Sequence, residues 1–255
     1  MRWLARRIGT VRLSRLGRRL RALPVASSII DRIDRRRSER LERRADVADV
    51  ARSRWRDAGP ALDLTWGARV SGDAFVERAR THGAFAADGT LLEVGPGYGR
   101  ILRSCLDRGV PFARYVGLDL SPSNVAHLRQ EFADPRIEFI EGDVEQTSVP
   151  GPVDTVISSL TFKHLYPSFE AALANLRRQL SDRGRVVFDL IEGDRRYFHW
   201  DGRTYVREYR RDEVARILAA CSLEPAAFDT VEHDRDHWRL LVVARVSGQP
   251  SGVST

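Results

Sequence analysis

Residues 91–102 read LLEVGPGYGRIL, and this stretch decides the fold of the chain. An apolar run carries Glu93 near its end, three glycines follow at alternate positions (Gly95, Gly97 and Gly99), and an apolar helical pattern then begins. The pattern predicts a strand, a tight turn and a helix, which together open a doubly wound α/β domain. Glycine lets the backbone approach a ligand closely, and the N-terminus of the helix favours a negatively charged group.

The rest of the chain alternates between strand-like and helix-like patterns, which indicates a parallel sheet with crossover helices. Strands are predicted at 90–94, 114–118, 136–140, 153–158, 185–191, 225–232 and 238–246, and helices at 73–81, 98–108, 122–132, 168–180 and 211–221. We therefore expect a helical arm at 1–58, a connecting region that covers the site at 59–84, an α/β core at 85–246 and a polar tail at 247–255.

Acidic residues follow the next two predicted strands. Asp119 lies about 20 residues past the glycines, where a carboxylate can accept both hydroxyls of a ribose. Ser121 and Pro122 behind it are typical of a helix start. Asp143 follows the third strand. Arg100 occupies the position of the third glycine in the dinucleotide pattern G-x-G-x-x-G, which disfavours a nicotinamide-dependent oxidoreductase.

This combination of motifs resembles the class I S-adenosylmethionine-dependent methyltransferases, in particular small-molecule enzymes, over residues 85–246. The resemblance implies a Rossmann-like, seven-stranded, mostly parallel sheet whose last strand is antiparallel, here with an N-terminal helical extension. It implies S-adenosylmethionine as the cofactor, with Asp143 and Val144 at the adenine and Trp66 and Arg69 closing over the site. The implied cofactor-binding set is completed by Glu93, Gly95, Pro96, Gly97, Tyr98, Gly99, Asp119, Leu120, Asn124, Ser158 and Ser159.

The acceptor side is predicted from the later strand ends. His164 follows the fourth strand, and an imidazole there can remove a proton from a hydroxyl. Its alternative role is structural, through a bond to the backbone. Lys163 is expected to be solvated or to hold an acidic substrate. The further catalytic candidates are Glu192 and His233, and the further substrate candidates are Asp194, Tyr197 and His199; no spacing among them matches a metal-ligand signature.

The function expected from the resemblance is O-methylation of a small polar acceptor, such as a saccharide or a secondary-metabolite hydroxyl. The residues 158–161 (Ser-Ser-Leu-Thr) lack the Pro-Pro-aromatic motif of enzymes that methylate nucleic-acid bases. Two alternatives stay open: an N-methyltransferase of a small molecule, and a cofactor-binding protein whose basic arm docks on a membrane or on RNA.

Charge is distributed unevenly along the chain. Residues 1–56 hold 18 Arg and six acids, a net charge of +12, whereas the whole chain carries +7, so the remainder is mildly acidic at −5. An arm of this charge can bind an anionic membrane surface or an acidic glycan through residues 1–57. Nucleic acid is disfavoured because only Trp3 and Trp55 offer aromatic stacking in the arm.

The two cysteines, Cys105 and Cys221, fall in predicted helices without metal-ligand spacing, which favours buried thiols in a reducing cytoplasm. No stretch approaches the roughly 20 apolar residues of a membrane span. We therefore expect a bacterial, cytoplasmic protein, with peripheral membrane association through the arm as one option. The oligomeric state stays open, and a homodimer is one possibility.

Overall fold

A computed structural model describes residues 36–59, 72–234 and 237–248. Trp66 and Arg69, which the resemblance places over the cofactor, lie outside the described residues, as does the first part of the basic arm. Of His233 only the backbone is described, so the structure does not test its predicted catalytic role.

Nine strands form one sheet in the described chain. They are β1 (Thr90–Val94), β2 (Arg114–Asp119), β3 (Ile137–Glu141), β4 (Val153–Ser158), β5 (Leu180–Glu192), β6 (Arg196–Phe198), β7 (Tyr205–Tyr209), β8 (Leu223–Asp234) and β9 (His237–Val246). The helices are α1 (Val47–Arg56), α2 (Asp73–Thr81), α3 (Arg100–Asp107), α4 (Pro122–Glu131), α5 (Glu170–Arg177) and α6 (Arg211–Ala220), with a short 3-10 helix at Phe162–His164. Residues 36–42 are also helical.

The main body of the sheet confirms the predicted topology. Its strand order is β3-β2-β1-β4-β5-β9-β8, and the first five strands pair in parallel. The last strand, β9, runs antiparallel to both β5 and β8. The reversal between β1 and β4 creates a crevice at the carboxyl ends of the strands, and open α/β sheets bind their ligands at such a crevice.

Apolar side chains on both faces of the sheet explain why its inner strands are buried. Leu92 and Val116 belong to a core cluster with α5 and α6, whereas Leu91 and Tyr115 belong to a second cluster with α2 and α3. Parallel strands covered on both faces carry continuous apolar runs rather than an alternating pattern, as in β1. The predicted Ser121 cap is confirmed, because its hydroxyl accepts the backbone N–H of Asn124 at the start of α4.

Two parts of the fold differ from the sequence-based expectation. The antiparallel pair β6–β7 was not predicted; β7 continues the sheet in parallel beside Ile191 and Glu192 at the end of β5. The helical arm predicted over 1–58 is interrupted at residues 43–46 within its described part. Both differences lie beside the functional crevice. The two cysteines are buried and free, as expected.

Candidate active site

A cavity of about 640 Å³ occupies the carboxyl ends of β1, β2, β3, β4 and β5. The turn after β1 forms its floor. Helix α1 and the β6–β7 pair supply much of the remaining wall. The size is that of a site for a small molecule or cofactor.

The glycine turn brings bare backbone to this cavity. Gly95 and Gly97 have positive φ angles of 70° and 61°, a region that glycine enters at little cost. A Cβ at Gly95 would lie 2.4 Å from Oγ1 of Thr161, so no larger residue fits there without a shift of that loop. Pro96 and Tyr98 complete the part of this turn that lines the cavity.

Asp119 holds this turn from the end of β2. Its Oδ2 accepts the backbone N–H of Gly97 at 2.9 Å, and its Oδ1 accepts that of Ser121 at 2.9 Å. The residue is only 6 % exposed and lines the cavity. Asp119 therefore positions the glycine turn and presents an acceptor group to the cavity.

Asp143 lines the cavity after β3, as predicted, but it has a partner that the sequence did not indicate. Its Oδ2 lies 2.7 Å from Nε of Arg52, and Nη2 of the same guanidinium donates to Glu145 at 2.7 Å. The carboxylate also accepts the backbone N–H of Glu145. A ligand that bonds to Asp143 therefore shares it with helix α1, and Val144 lines the cavity beside it.

Glu93 is the buried carboxyl of the site, at 1 % exposure. Burial raises its pKa to about 7, against a hydrogen bond from the Tyr115 hydroxyl at 2.6 Å and the positive charge of Arg100, which lower it. The residue lines the cavity next to the glycine turn. At neutral pH it is therefore present in both its protonated and its ionised form.

His164 lines the cavity from the 3-10 helix after β4. Its Nδ1 lies 2.7 Å from the carbonyl oxygen of Tyr205, and because a carbonyl only accepts, Nδ1 carries the proton and donates. The neutral imidazole thus has its lone pair on Nε2. The ring packs against Trp55, with 4.4 Å between ring centroids. Burial lowers the pKa of His164 well below its usual value, and Lys163 acts in the same direction.

Lys163 is 2 % exposed, so the expectation of a solvated lysine is wrong. Burial, and after it the charge of Arg239, lowers the pKa of its ammonium group well below the usual value. Arg239 on β9 also lines the cavity, 3.5 Å from the carboxylate of Asp189. The expectation that Lys163 faces an acidic substrate is compatible with this position.

Other predicted residues also line the cavity: Leu120, Asn124, Ser159, Tyr197 and His199. Asn124 is 3 % exposed, and its side-chain amide donates weakly to Asp119 at 3.4 Å. The hydroxyl of Ser159 donates to Asp189 and accepts from Arg100, so its capacity is used within the protein.

Four predicted site residues lie away from the cavity, and their assignments are corrected. Ser158 is buried in the sheet, where its hydroxyl donates to the Val94 carbonyl. Gly99 begins α3, and a Cβ there would lie 2.5 Å from the ring of Phe132, so packing requires this glycine. The other two are exposed acids, Glu192 and Asp194. Glu192 is paired with Arg211 at 2.8 Å, because the β6–β7 pair turns the chain away from the crevice.

The wall that sequence reasoning missed is helix α1, which the composition had assigned to a separate arm. The residues that it contributes to the cavity wall are small, basic or aromatic: Ala48, Ala51, Arg52, Arg54 and Trp55, followed by Ala58 just after the helix. The helix is fastened at several points. Arg54 contacts Thr204 and Asp201, and the carbonyl of Ala58 accepts the Ser121 hydroxyl at 2.6 Å. The acidic excess of residues 57–255 is the signal that could have indicated this docking.

Comparison with known proteins agrees with this geometry. Residues 92–188 match the family described as a methyltransferase domain. This stretch of the chain is thus similar to a methyltransferase domain. Residues 92–188 include most of β1, all of β2, β3 and β4, and most of β5, together with the loops that carry the glycine turn, Asp119 and Asp143.

Curated relatives match part of the chain. The phthiotriol/phenolphthiotriol dimycocerosates methyltransferase of Mycobacterium leprae is 29% identical over 111 residues, 44% of this chain and 41% of the relative. The malonyl-[acyl-carrier protein] O-methyltransferase of Priestia megaterium is 30% identical over 98 residues, 38% of this chain and 35% of the relative. The matches thus span less than half the length of these relatives.

Solved structures share the fold over a larger part of this chain. The Burkholderia thailandensis 1,6-didemethyltoxoflavin-N1-methyltransferase, with its substrate and S-adenosylhomocysteine bound, has a TM-score of 0.64 at 22% identity and covers 79% of this chain and 89% of its own. The magnesium protoporphyrin IX methyltransferase of Synechocystis with bound S-adenosylmethionine has a TM-score of 0.53 at 17% identity, covering 69% and 78%.

The cavity fits S-adenosylmethionine, the cofactor of class I methyltransferases. Oδ1 of Asn124 is buried and, within the described part of the chain, has no hydrogen-bond partner, which leaves an acceptor for a ligand. Beside it, the carboxylate of Asp119 lines the cavity, and the turn at Gly95 leaves no room for a side chain. These are the features that a polar nucleoside with an amino-acid tail needs.

Two kinds of feature are absent from residues 36–59, 72–234 and 237–248. No group of three His, Cys, Asp or Glu side chains in these ranges is placed to hold a metal ion. Within the same ranges, no helix has the length and apolar character needed to cross a membrane.

Proposed function

We propose that this methyltransferase transfers the methyl group of S-adenosylmethionine to a hydroxyl group of a small polar acceptor, with His164 as the base. The observation that carries the proposal is the tautomer of His164. Its Nδ1 is committed to the Tyr205 carbonyl, and the ring belongs to the wall of the cavity that also holds Asp119 and the glycine turn. The lone pair on Nε2 is then available for a proton from the acceptor.

The environment of His164 suits a base that stays neutral. Its lowered pKa keeps the imidazole unprotonated across the physiological range, so no pre-existing proton blocks Nε2. The stacking with Trp55 fixes the plane of the ring, and the bond to Tyr205 fixes its rotation. General base catalysis of this kind contributes about 10²–10⁴ in rate.

The cofactor would lie across the ends of β1, β2 and β3. Asp119 would accept the ribose hydroxyls, Asp143 the adenine amino group, and the turn at Gly95 and Gly97 would pass beneath the amino-acid tail. When bound, S-adenosylmethionine supplies a methyl group already activated on a sulfonium. The protein therefore has to place the acceptor oxygen in line with that methyl group, at about 3 Å, and to remove one proton.

The reaction balances without a further reactant. Nε2 of His164 would take the hydroxyl proton as the acceptor oxygen gains the methyl group. The sulfonium would supply that methyl group and keep the electron pair of the carbon–sulfur bond, so the products would be a methyl ether and S-adenosylhomocysteine. Trp55 and the β6–β7 pair cover this point of the cavity and exclude water from it.

The first experiment measures S-adenosylhomocysteine binding to the full chain by calorimetry. The second incubates the chain with methyl-labelled S-adenosylmethionine and a fractionated extract of polar metabolites, and identifies the labelled product by mass spectrometry and carbon NMR. We expect binding and an O–CH3 product. An N–CH3 product would reject the hydroxyl acceptor and keep the methyltransferase, whereas the absence of binding would reject the proposed function itself.

A further inference from the structure

Three basic side chains from separate elements line the cavity together. Arg100 is the first residue of α3, Lys163 lies on the 3-10 helix after β4, and Arg239 lies on β9. Lys163 and Arg239 are only 2 % and 6 % exposed. Arg239 and Arg100 both lower the pKa of Lys163, and Arg100 lowers that of Arg239, so the three groups lie within electrostatic reach of each other.

The buried guanidinium of Arg239 has more N–H donors than hydrogen-bond acceptors around it. Neither its Nε nor its Nη1 has a hydrogen-bond partner among the described residues. The carboxylate of Asp189 lies 3.5 Å from Nη1, which is beyond a good hydrogen bond. That carboxylate is already occupied, because it accepts the Ser159 hydroxyl at 2.6 Å and the Leu160 backbone N–H at 2.8 Å.

The charge of Arg239 lacks a full partner among the described residues. Asp189, the carboxylate 3.5 Å from it, also acts on the ammonium group of Lys163, whose pKa it raises. A buried cation without full pairing costs several kcal/mol, so it persists only where something compensates for it. Burial, and after it the charge of Arg100, lowers the pKa of Arg239, in keeping with a cation that lacks a complete partner.

We propose that Arg239, Lys163 and Arg100 form a subsite for a carboxylate of the methyl acceptor, which makes the acceptor a small hydroxy acid. This inference rests on the proposed function, because the hydroxyl group must reach His164. Lys163 and His164 are consecutive residues and both line the cavity, so one acceptor molecule can present its carboxylate to the subsite and its hydroxyl to His164. The remaining wall toward solvent is largely apolar or aromatic, formed by Ile191, Tyr197 and Trp200.

The test compares a carboxylate with its neutral counterpart. The probes are 3-(4-hydroxyphenyl)propionate and 3-(4-hydroxyphenyl)-1-propanol, followed by aliphatic hydroxy acids and the matching diols of six to ten carbons. Each is titrated by calorimetry into the full chain saturated with S-adenosylhomocysteine. Crystals of the same complex are soaked in sodium bromide, and anomalous scattering locates the halide as a probe of the anion subsite that does not depend on acceptor shape.

Arg239→Met removes the cation and keeps much of the apolar length of the side chain. The matched control is Arg245→Met on the same strand, whose partner Glu224 and position lie outside the cavity. We expect wild type and the control to bind a carboxylate at least about tenfold more tightly than its alcohol, and bromide to occupy the subsite. Arg239→Met should lose both effects and retain its affinity for S-adenosylhomocysteine. If this variant fails to fold, Lys163→Met replaces it.

Two results would overturn the inference. One is wild-type protein with neither bromide at the subsite nor a preference for any carboxylate of the series. The other is Arg239→Met protein that loses affinity for S-adenosylhomocysteine but keeps its affinity for methylthioadenosine, which lacks the carboxylate; the subsite would then serve the cofactor. If wild type binds no S-adenosylhomocysteine, the proposed function fails instead, and bromide in ligand-free crystals still decides whether the anion subsite exists.

Discussion

The two halves of the cavity are built in different ways. The half assigned to the cofactor comes from three consecutive strand ends, marked by Gly97, Asp119 and Asp143, and each marker directly follows an apolar run. The half assigned to the acceptor comes from helix α1, the 3-10 helix after β4, the β6–β7 pair and β9, which are distant in the chain. The residues of the first half must fit both the cofactor and the strand ends of the sheet. The residues of the second half lie on elements that pack onto the sheet, so they can be substituted without disturbing it.

The largest effect that separates the halves is expected at His164. Replacement by Asn removes Nε2 as a proton acceptor, so turnover should fall about 10²–10⁴-fold while affinity for S-adenosylhomocysteine stays unchanged. Wild-type turnover should also persist at pH 6, because the lowered pKa of His164 keeps the ring neutral there. The matched control is His127→Asn, on the outer side of α4 and paired with Glu131. A His164→Asn enzyme with normal turnover would assign this histidine a structural role.

Substitution of Asp119 should affect affinity for the cofactor, whereas substitution of His164 should affect turnover. Alanine removes the acceptor of the Gly97 and Ser121 backbone N–H groups as well as the proposed ribose ligand, and each charge-assisted bond contributes about 1.5–3 kcal/mol. We therefore expect S-adenosylhomocysteine to bind at least about 100-fold more weakly. Asp134→Ala, in the exposed turn before β3, serves as the control. Equal affinity in the Asp119 variant, measured by calorimetry, would remove the ribose assignment.

Glu93 adds a pH dependence that belongs to the cofactor half alone. The folded protein holds its proton up to about pH 7, whereas the unfolded chain releases it near 4.5. The stability from the protonated carboxyl is therefore fully present below pH 4.5 and is lost as the pH rises through 7, by an amount on the order of 2–3 kcal/mol. Urea unfolding at several pH values measures this loss. Glu93→Gln, which can still accept the Tyr115 hydroxyl, should abolish this part of the slope; an unchanged slope would show that another group causes it.

The contrast between the halves also explains what could be predicted from the sequence. The alternation of patterns predicts the order of the main strands, and the local signals at Gly95, Asp119 and Ser121 lie within a few residues of the structures that they form. The site was predicted where such local signals exist. Glu192 and Asp194 were placed wrongly because the β6–β7 pair, whose strands are short and charged, redirects the chain immediately after β5.

The contribution of Arg239 and of helix α1 could not be predicted for a different reason. Arg239 looks like one more arginine in a strand, and its burial depends on the antiparallel pairing of β9 with β5. The basic composition of α1 suggested a separate arm, yet Arg52 pairs with Asp143 and Arg54 with Asp201 in the α/β core. Composition reports net charge and not the partner that the charge meets.

The smallest predicted effect tests that last point through two truncations. Removal of residues 1–34 leaves every described contact of α1 in place, so affinity for S-adenosylhomocysteine should be unchanged. Removal of residues 1–58 also deletes Arg52, which bridges Asp143 and Glu145, and Trp55, which packs on His164. We expect about tenfold weaker binding, since this loss of partly buried contacts corresponds to about 1.4 kcal/mol, together with a larger loss of turnover. Thermal melting of both truncations controls for unfolding.

If the protein without residues 1–58 binds and turns over like the full chain, α1 does not form part of the cavity wall, and the segment is the independent arm that its charge first suggested. A further variant, Arg52→Met in the full chain, separates enclosure from competition. If it binds S-adenosylhomocysteine more tightly than wild type does, α1 competes with the ligand for Asp143 instead of enclosing it.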